Sequence, residues 1–167
     1  MMNAIPRFAN RLALIGAFSA ALLTVVPAAL AAQVRPVRML SLEGAQKALA
    51  AATAEARKQN WGVSISVVDA FGELIAFARL DGAPLGSVDV SRGKARTAAR
   101  FRRPTKTFDS TLTAGRLAIL GIDGVTPVEG GVPIIINGEY VGAVGVSGAT
   151  SAQDAQVATA GVGAITP

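Results

Sequence analysis

Apolar and polar positions along residues 41–80 predict one helix followed by two strands. The apolar residues at helical spacing begin after the N-cap residue Ser41 and predict a helix that stops near Asn60: Leu42, Ala45, Ala48, Leu49 and Ala52. Val63, Ile65 and Val67 then alternate with smaller residues, which is the pattern of a half-buried strand. A second strand over residues 73–80 follows turn residues 69–72, so the pair predicts a β-hairpin.

Residues 86–131 predict two helices and a loop. The first helix covers residues 86–101 and cannot continue through Pro104. A shorter helix is predicted over residues 108–120, and residues 121–131 form a glycine-rich loop. Two apolar runs, residues 132–136 and 139–147, then flank Asn137-Gly138, a pair that tolerates the positive φ angles of a tight hairpin turn.

A last helix begins at Thr150 or Ser151, because Ser151 and Asp154 have the spacing of a capping box. The predicted order is therefore α-β-β-α-α-β-β-α within one domain, residues 41–167. Two hairpins joined through helices predict an α+β fold, in which helices pack on a mainly antiparallel sheet.

The first 31 residues have the order of a secretory signal peptide. Basic residues, an apolar run, a proline and a small-x-small site follow one another: Arg7 and Arg11, residues 12–26, Pro27, and Ala29 to Ala31. We expect cleavage after Ala31, which leaves residues 32–40 as a lead-in and places the protein in the periplasm or outside the cell. The alternative is a retained membrane anchor, since the apolar run extended to Ala32 approaches the ~20 residues of a spanning helix.

The composition limits the kinds of partner, catalysis and metal binding that are open to the mature chain. Loss of Arg7 and Arg11 lowers the basic residues from 16 to 14 against 11 acidic residues, and the net charge from +5 to +3. We therefore expect no nucleic-acid partner and no stable membrane insertion after cleavage. The sequence has no cysteine and no histidine, which excludes disulfides, Ser-His-Asp or Cys-His catalysis and imidazole or thiolate metal sites. Any activity would rest on carboxylates, lysines, hydroxyls or a cofactor, and no carboxylate spacing defines a metal site.

Half of the basic residues of the mature chain lie within 15 positions that contain no acid: Arg92, Lys94, Arg96, Arg100, Arg102, Arg103 and Lys106. On a helix, Arg92, Arg96 and Arg100 share one stripe, and Arg103 lies three positions further on. Guanidinium groups suit carboxylates and phosphates, so the stripe predicts an anion-binding site. The alternatives are a solvated basic face and ion pairs with acids of a neighbouring subunit.

Glycines are frequent over residues 130–148, and two explanations compete for them. A nucleotide-binding fingerprint places glycines between a strand and a helix, whereas Gly142 and Gly145 lie inside a predicted strand. Glycine inside a strand indicates a bulge or the close approach of another backbone. Ser147 and Gly148 do precede a helix start, where backbone N–H groups can bind an anion, so residues 147–151 form a second candidate anion site.

Five motifs in one order resemble the GlcG/HbpS-like family of haem-binding domains: VVD-x-x-G from Val67, R-x-DGAP from Arg79, RGKA from Arg92, GG-x-PI from Gly130 and GA-x-GVSG from Gly142. The similarity covers about residues 41–165. It implies a sandwich of helices about a five-stranded antiparallel sheet and assembly into homo-oligomers. Some members are exported and bind haem, and a haem-degrading activity has been attributed to the group. Other members accompany glycolate or propanediol metabolism.

The resemblance also implies candidate ligand-binding residues. Lys94 falls in the RGKA motif, and four glycines fall in the glycine motifs: Gly130, Gly131, Gly145 and Gly148. Because the chain has no histidine, haem iron would be ligated by a hydroxyl, Tyr140, Met39 or Lys94, or haem would be held by its propionates alone.

We therefore expect an exported, oligomeric protein that binds haem or another tetrapyrrole and pairs its arginine stripe with the propionates. One alternative is an enzyme, or an accessory to one, that acts on a small carboxylic acid held by the same arginines. The other is a ligand-free assembly module whose arginines face a neighbouring subunit. The sequence leaves open whether the protein is an enzyme, and it defines no catalytic residue.

Overall fold

The computed structural model describes Gln33 and residues 35–165, and residues 36–165 belong to one compact unit. The expected signal peptide, residues 1–31, lies outside the described residues. Within residues 35–165, no helix combines the length and the apolar character needed to cross a membrane.

The elements follow the predicted order. The helices are α1 (Leu42–Lys58), α2 (Ser87–Phe101), α3 (Lys106–Thr113) and α4 (Ser151–Gly163), and the strands are β1 (Ser64–Asp69), β2 (Leu74–Arg79), β3 (Gly131–Ile136) and β4 (Glu139–Ser147). The prediction of one helix over residues 108–120 was wrong. The helix ends at Thr113 because Gly115 takes a positive φ of 92°, and a separate 3₁₀ helix, Leu117–Gly121, follows.

The described residues form one antiparallel sheet with the strand order β2-β1-β4-β3. The two strands of each hairpin pair with each other. Pairing of β1 with β4 joins the two hairpins in the middle of the sheet, where Ser66 lies opposite Gly145. The sheet therefore has four described strands rather than the five that the resemblance implied. From the lead-in, the Leu40 N–H donates to the Val141 carbonyl at 2.9 Å, but no strand forms there.

Helices cover both faces of the sheet. One face carries the larger apolar core, which α1 and α4 cover with alanine and valine side chains: Ala45, Ala48, Ala52, Ala56, Val157 and Ala158 pack on Ile65, Val67, Ile134, Val144 and Val146. The other face is covered by α2, whose small residues Ala95, Ala98 and Ala99 contact Val68 and Ala143. The predicted α+β sandwich is confirmed.

Strand β1 is buried on both faces, not half-buried as its alternation predicts. The polar positions of the pattern, Ser64 and Ser66, are fully buried against α2. Their hydroxyls lie 2.8 Å from those of Ser87 and Ser91, so each buried hydroxyl has a hydrogen-bond partner. Serine tolerates this position because the polar group is satisfied by the helix that covers it.

The last helix begins one residue earlier than the predicted capping box requires. Thr150 is the N-cap, and the box joins Thr150 to Gln153 rather than Ser151 to Asp154. The Asp154 side chain is buried instead, and its Oδ1 accepts a hydrogen bond from the Ala149 N–H at 3.1 Å. The Asp154 carboxylate therefore lies in the buried interior of the molecule, close to the start of α4.

Candidate functional site

The arginines of α2 do not converge on one point. Arg100 donates from Nε to the Phe71 carbonyl at 2.7 Å and pairs with the Glu73 carboxylate at 3.0 Å. Arg96 lies over the same β1–β2 turn, against Gly72. Arg100 therefore holds the hairpin turn in place rather than offering a free guanidinium group.

Arg103 does not continue the stripe, because α2 ends at Phe101. Arg102 follows in the left-handed conformation at φ 53°, which redirects the chain. The Arg102 guanidinium lies 5.8 Å from the ring centre of Tyr140, and that of Arg103 lies 5.7 Å from the ring centre of Phe108. Arg103 therefore lies away from the helix face on which Arg92 remains exposed, and it lines a cleft beside α3 that is described below.

Lys94, a candidate ligand-binding residue in the sequence, is buried at the centre of the fold. It is 1% exposed, and its Nζ donates to Asp154 Oδ2 at 2.8 Å and to the Val146 carbonyl at 3.0 Å. Burial raises the pKa of the Asp154 carboxyl above its ordinary value, while the hydrogen bonds from Lys94 and the Ala149 N–H limit the rise. Lys94 thus joins α2 to α4 in the interior of the fold.

The glycines of β3 and β4 allow α2 to approach the sheet. A Cβ on Gly145 would meet the Ser91 carbonyl and the Ala95 nitrogen, and a Cβ on Gly131 would meet the Lys94 carbonyl. Gly142 is in similar contact with the carbonyl of Val68 on β1. The prediction that Gly142 and Gly145 mark a close backbone approach is confirmed.

Two further glycines sit in turns that only a residue without a side chain fits well. Gly130 has φ 129° and lies against the Lys94 Nζ, where a Cβ would be 2.8 Å away. Gly148 has φ 139°, and a Cβ there would lie 2.5 Å from the Gly62 carbonyl. The neighbouring Ser147 is buried at the end of β4.

The backbone donors of the second candidate anion site have partners inside the protein. The Ala149 N–H donates to Asp154, the Thr150 N–H to the Gln153 side chain at 3.1 Å and the Gln153 N–H to the Thr150 hydroxyl at 3.4 Å. The N–H groups of this candidate site thus take part in the hydrogen bonds that begin α4.

A cleft of about 430 Å³ lies between α3 and the 3₁₀ helix. Apolar side chains, two hydroxyls and two guanidinium groups line it: Phe101, Phe108, Ala118, Ile119, Ile122, Thr107, Thr111, Arg103 and Arg116. The Phe101 and Phe108 rings meet edge to face, 5.3 Å apart at 76°, and give the cleft an aromatic wall. We call it the α3 cleft.

The α3 cleft offers few groups to a metal ion. Its hydroxyls belong to Thr107 and Thr111, and Thr111 Oγ1 donates to the Thr107 carbonyl at 2.7 Å, which leaves its lone pairs unused by that bond. Met39 lines a different cleft, and Tyr140 lies beside Arg102. No group of three or more His, Cys, Asp or Glu side chains could hold a metal ion among residues 35–165.

Only Arg103 among the predicted site residues lines the α3 cleft. Its other lining residues were missed, because the sequence pattern was interpreted as one continuous helix over residues 108–120. The signal that could have found them is Ala114-Gly115, which interrupts that helix and lets the following apolar residues fold back. Arg116, directly after this break, brings the second guanidinium group.

A four-stranded antiparallel sheet covered on both faces by helices defines a small α+β domain, and an apolar cleft with two guanidinium groups lies beside it. Residues 40–163 match the family model described as haem degrading protein HbpS-like. The chain therefore belongs to the HbpS-like family, as its motifs indicated.

Three comparisons illustrate the relationship. Protein GlcG of Escherichia coli is 45% identical over 109 residues, which cover 65% of this chain and 81% of GlcG. A crystal structure of HbpS is 32% identical with a TM-score of 0.76 and covers 81% of this chain and 96% of HbpS. A crystal structure of a complex of PduOC with haem is 27% identical with a TM-score of 0.70 and covers 76% of this chain and 95% of PduOC.

Proposed function

We propose that this protein binds haem in the α3 cleft. The observation that carries the proposal is the pairing of an apolar floor, Phe108 and Ile119, with two guanidinium groups, Arg103 and Arg116. Haem is a flat apolar macrocycle with two carboxylates on one edge, so its chemistry complements both parts. The HbpS-like family description and the haem complex of the related PduOC support this choice of ligand.

The residues present fit the group. The cleft volume of about 430 Å³ lies within the range of small-molecule sites, roughly 300–1,000 Å³, and would enclose part of a macrocycle. Arg103 and Arg116 would bind the propionates, the aromatic pair Phe101 and Phe108 would pack against the ring, and Thr107 or Thr111 would bring a hydroxyl towards the iron. When bound, haem supplies a redox-active iron, while the protein contributes binding and orientation.

Hemin titration tests the proposal through the Soret absorbance. The purified mature chain is expected to bind hemin stoichiometrically, and Arg103→Ala and Arg116→Ala are each expected to weaken binding about tenfold or more, because each removes a charged hydrogen-bond donor. Arg92→Ala is the matched control, since Arg92 is an exposed arginine outside the cleft. Unchanged affinity in both cleft variants would refute this site.

The alternative of a ligand-free assembly module makes a different prediction. It requires no Soret change and a large particle in light scattering that dissociates when Arg96 and Arg100 are replaced. Homo-oligomer formation itself is compatible with both functions, because the hydrophobic Leu117 and Leu120 are 67% and 64% exposed on the 3₁₀ helix beside the cleft.

We also propose that the protein is exported, on the strength of its first 31 residues. Expression of the full chain in a bacterial host is expected to yield a mature protein that begins at Ala32 and is released with the periplasmic fraction. Mass spectrometry of the intact product measures the cleavage site. A product that keeps Met1 or Met2 and remains in the membrane fraction would instead support the retained anchor.

A further inference from the structure

A second cavity lies between the end of α1 and the end of β2 and shares no lining residue with the α3 cleft. Its volume is about 410 Å³, and its lining is mainly polar: Arg57, Asn60, Trp61, Gly62, Arg79, Leu80 and Asp81. Two of these side chains are guanidinium groups from separate elements, since Arg57 is in the last turn of α1 and Arg79 is the last residue of β2. We call it the Trp61 cavity.

The guanidinium groups of the Trp61 cavity have no acceptor within the described chain. Neither the Arg57 nor the Arg79 side chain forms a hydrogen bond or an ion pair with a residue of the range 35–165. Asp81 lines the same cavity, and its carboxylate is also without an ion-pair partner there. By contrast, Arg38 and Arg100 pair with glutamates. Two guanidinium groups and one carboxylate leave the cavity with a net positive charge, which an anion from outside can offset.

The walls of this cavity are held by the backbone. The Leu80 N–H donates to the Val63 carbonyl at 2.9 Å, and a Cβ on Gly62 would lie only 2.7 Å from the carbonyl carbon of Gly82. Asn60 ends α1 in the left-handed conformation at φ 57°. Trp61 is half-buried and packs against the larger apolar core. The backbone around the cavity is therefore fixed before binding, which lowers part of the entropic cost.

We propose that the Trp61 cavity binds a small hydroxylated dicarboxylic acid. The carboxylates would accept hydrogen bonds from Arg57 and Arg79, because guanidinium groups bind carboxylates in a bidentate geometry. The hydroxyl would donate to the free carboxylate of Asp81, which can act only as an acceptor when ionised. The indole of Trp61 would cover the short carbon chain. This ligand is separate from haem, and its site needs no contribution from the α3 cleft.

The fluorescence of Trp61 reports on this cavity directly, since the chain contains one tryptophan. Titration of the mature protein with L-malate is expected to change the emission saturably. Arg57→Gln and Arg79→Gln are each expected to raise the apparent Kd about tenfold or more, and Arg92→Gln, an exposed arginine outside the cavity, is expected to leave it unchanged. All three arginines are exposed, and a thermal unfolding scan checks that each variant folds.

Two further ligands define the class. Succinate lacks the hydroxyl and is expected to bind about tenfold more weakly than malate, a difference that Asp81→Ala should abolish. Tighter binding of inorganic phosphate than of malate would overturn the assignment to carboxylic acids. The absence of saturable binding in both fluorescence and calorimetry, or equal weakening by Arg92→Gln, would overturn the site. Hemin affinity in Arg57→Gln separates this outcome from failure of the haem proposal, because that variant leaves the α3 cleft intact.

Discussion

Replacement of Lys94 by methionine is expected to lower the free energy of unfolding by about 3–5 kcal/mol, because it leaves a buried carboxylate without its charged partner. Lys94 and Asp154 are 1% and 2% exposed, and their side chains meet at 2.8 Å. Methionine keeps the length and apolar stem of lysine while removing the charge. Urea unfolding followed by circular dichroism measures the effect.

A double-mutant cycle separates the pair from the packing around it. Asp154→Asn alone leaves the Lys94 ammonium buried with only the Val146 carbonyl, so it is also expected to destabilise the fold. The double variant Lys94→Met with Asp154→Asn buries no net charge and keeps a side-chain oxygen for the Ala149 N–H. It is expected to be more stable than Lys94→Met alone. Additive losses would contradict a direct charge interaction.

The pH dependence of the same variants has a definite sign. Burial raises the folded-state pKa of Asp154 above the ordinary 3.8, and Lys94 opposes that rise. A carboxyl with a raised folded-state pKa contributes stability that is fully present below its unfolded value and is lost as the pH rises through the folded-state pKa. Lys94→Met removes an opposing influence and raises that pKa further. The gap in stability between wild type and Lys94→Met should therefore shrink as the pH falls, and it should not shrink in this way for the double variant.

The burial of Lys94 and its pairing with Asp154 could not be predicted from the sequence. The position of Lys94 in a run of basic residues and in the RGKA motif made it a candidate ligand-binding residue, and nothing local indicates burial. Its partner lies 60 residues further along the chain, on α4, where Asp154 was interpreted as a capping residue. A pairing of this kind depends on how α2 and α4 meet through the sheet, and that arrangement is not encoded in the spacing of either segment.

Local signals, in contrast, were sufficient for most of the secondary structure. Asn137 and Gly138 adopt φ 51° and 78°, as the hairpin turn requires. Ser41 caps α1 through its hydroxyl, which accepts from the Gly44 N–H at 3.1 Å. Each of these features rests on residues within a few positions of one another. The α3 cleft depends on a break in the helix and a reversal of the chain after it, so its lining could not be predicted while residues 108–120 were interpreted as one helix.

Gly145→Ala is expected to lower the free energy of unfolding by about 3 kcal/mol or more, through overpacking rather than loss of a contact. Gly145 lies opposite Gly131 in the β3–β4 pairing and opposite Ser66 in the β1–β4 pairing, so it occupies the middle of the sheet. A single added methyl would meet the backbone of α2 at Ser91 and Ala95. Backbone in a helix cannot move aside as a flexible side chain can, so α2 as a whole would have to lift from the sheet.

Lifting α2 would strain interactions that depend on its distance from the sheet. The buried hydroxyl pair of Ser66 and Ser91 spans 2.8 Å, and Lys94 reaches the Val146 carbonyl from the same helix. Gly86→Ala is the matched control, because its Cβ would meet no atom within 4 Å. We expect a change of less than about 1 kcal/mol there. If Gly145→Ala and Gly86→Ala shift the thermal midpoint equally, the close packing of α2 on Gly131 and Gly145 does not determine the stability of the fold.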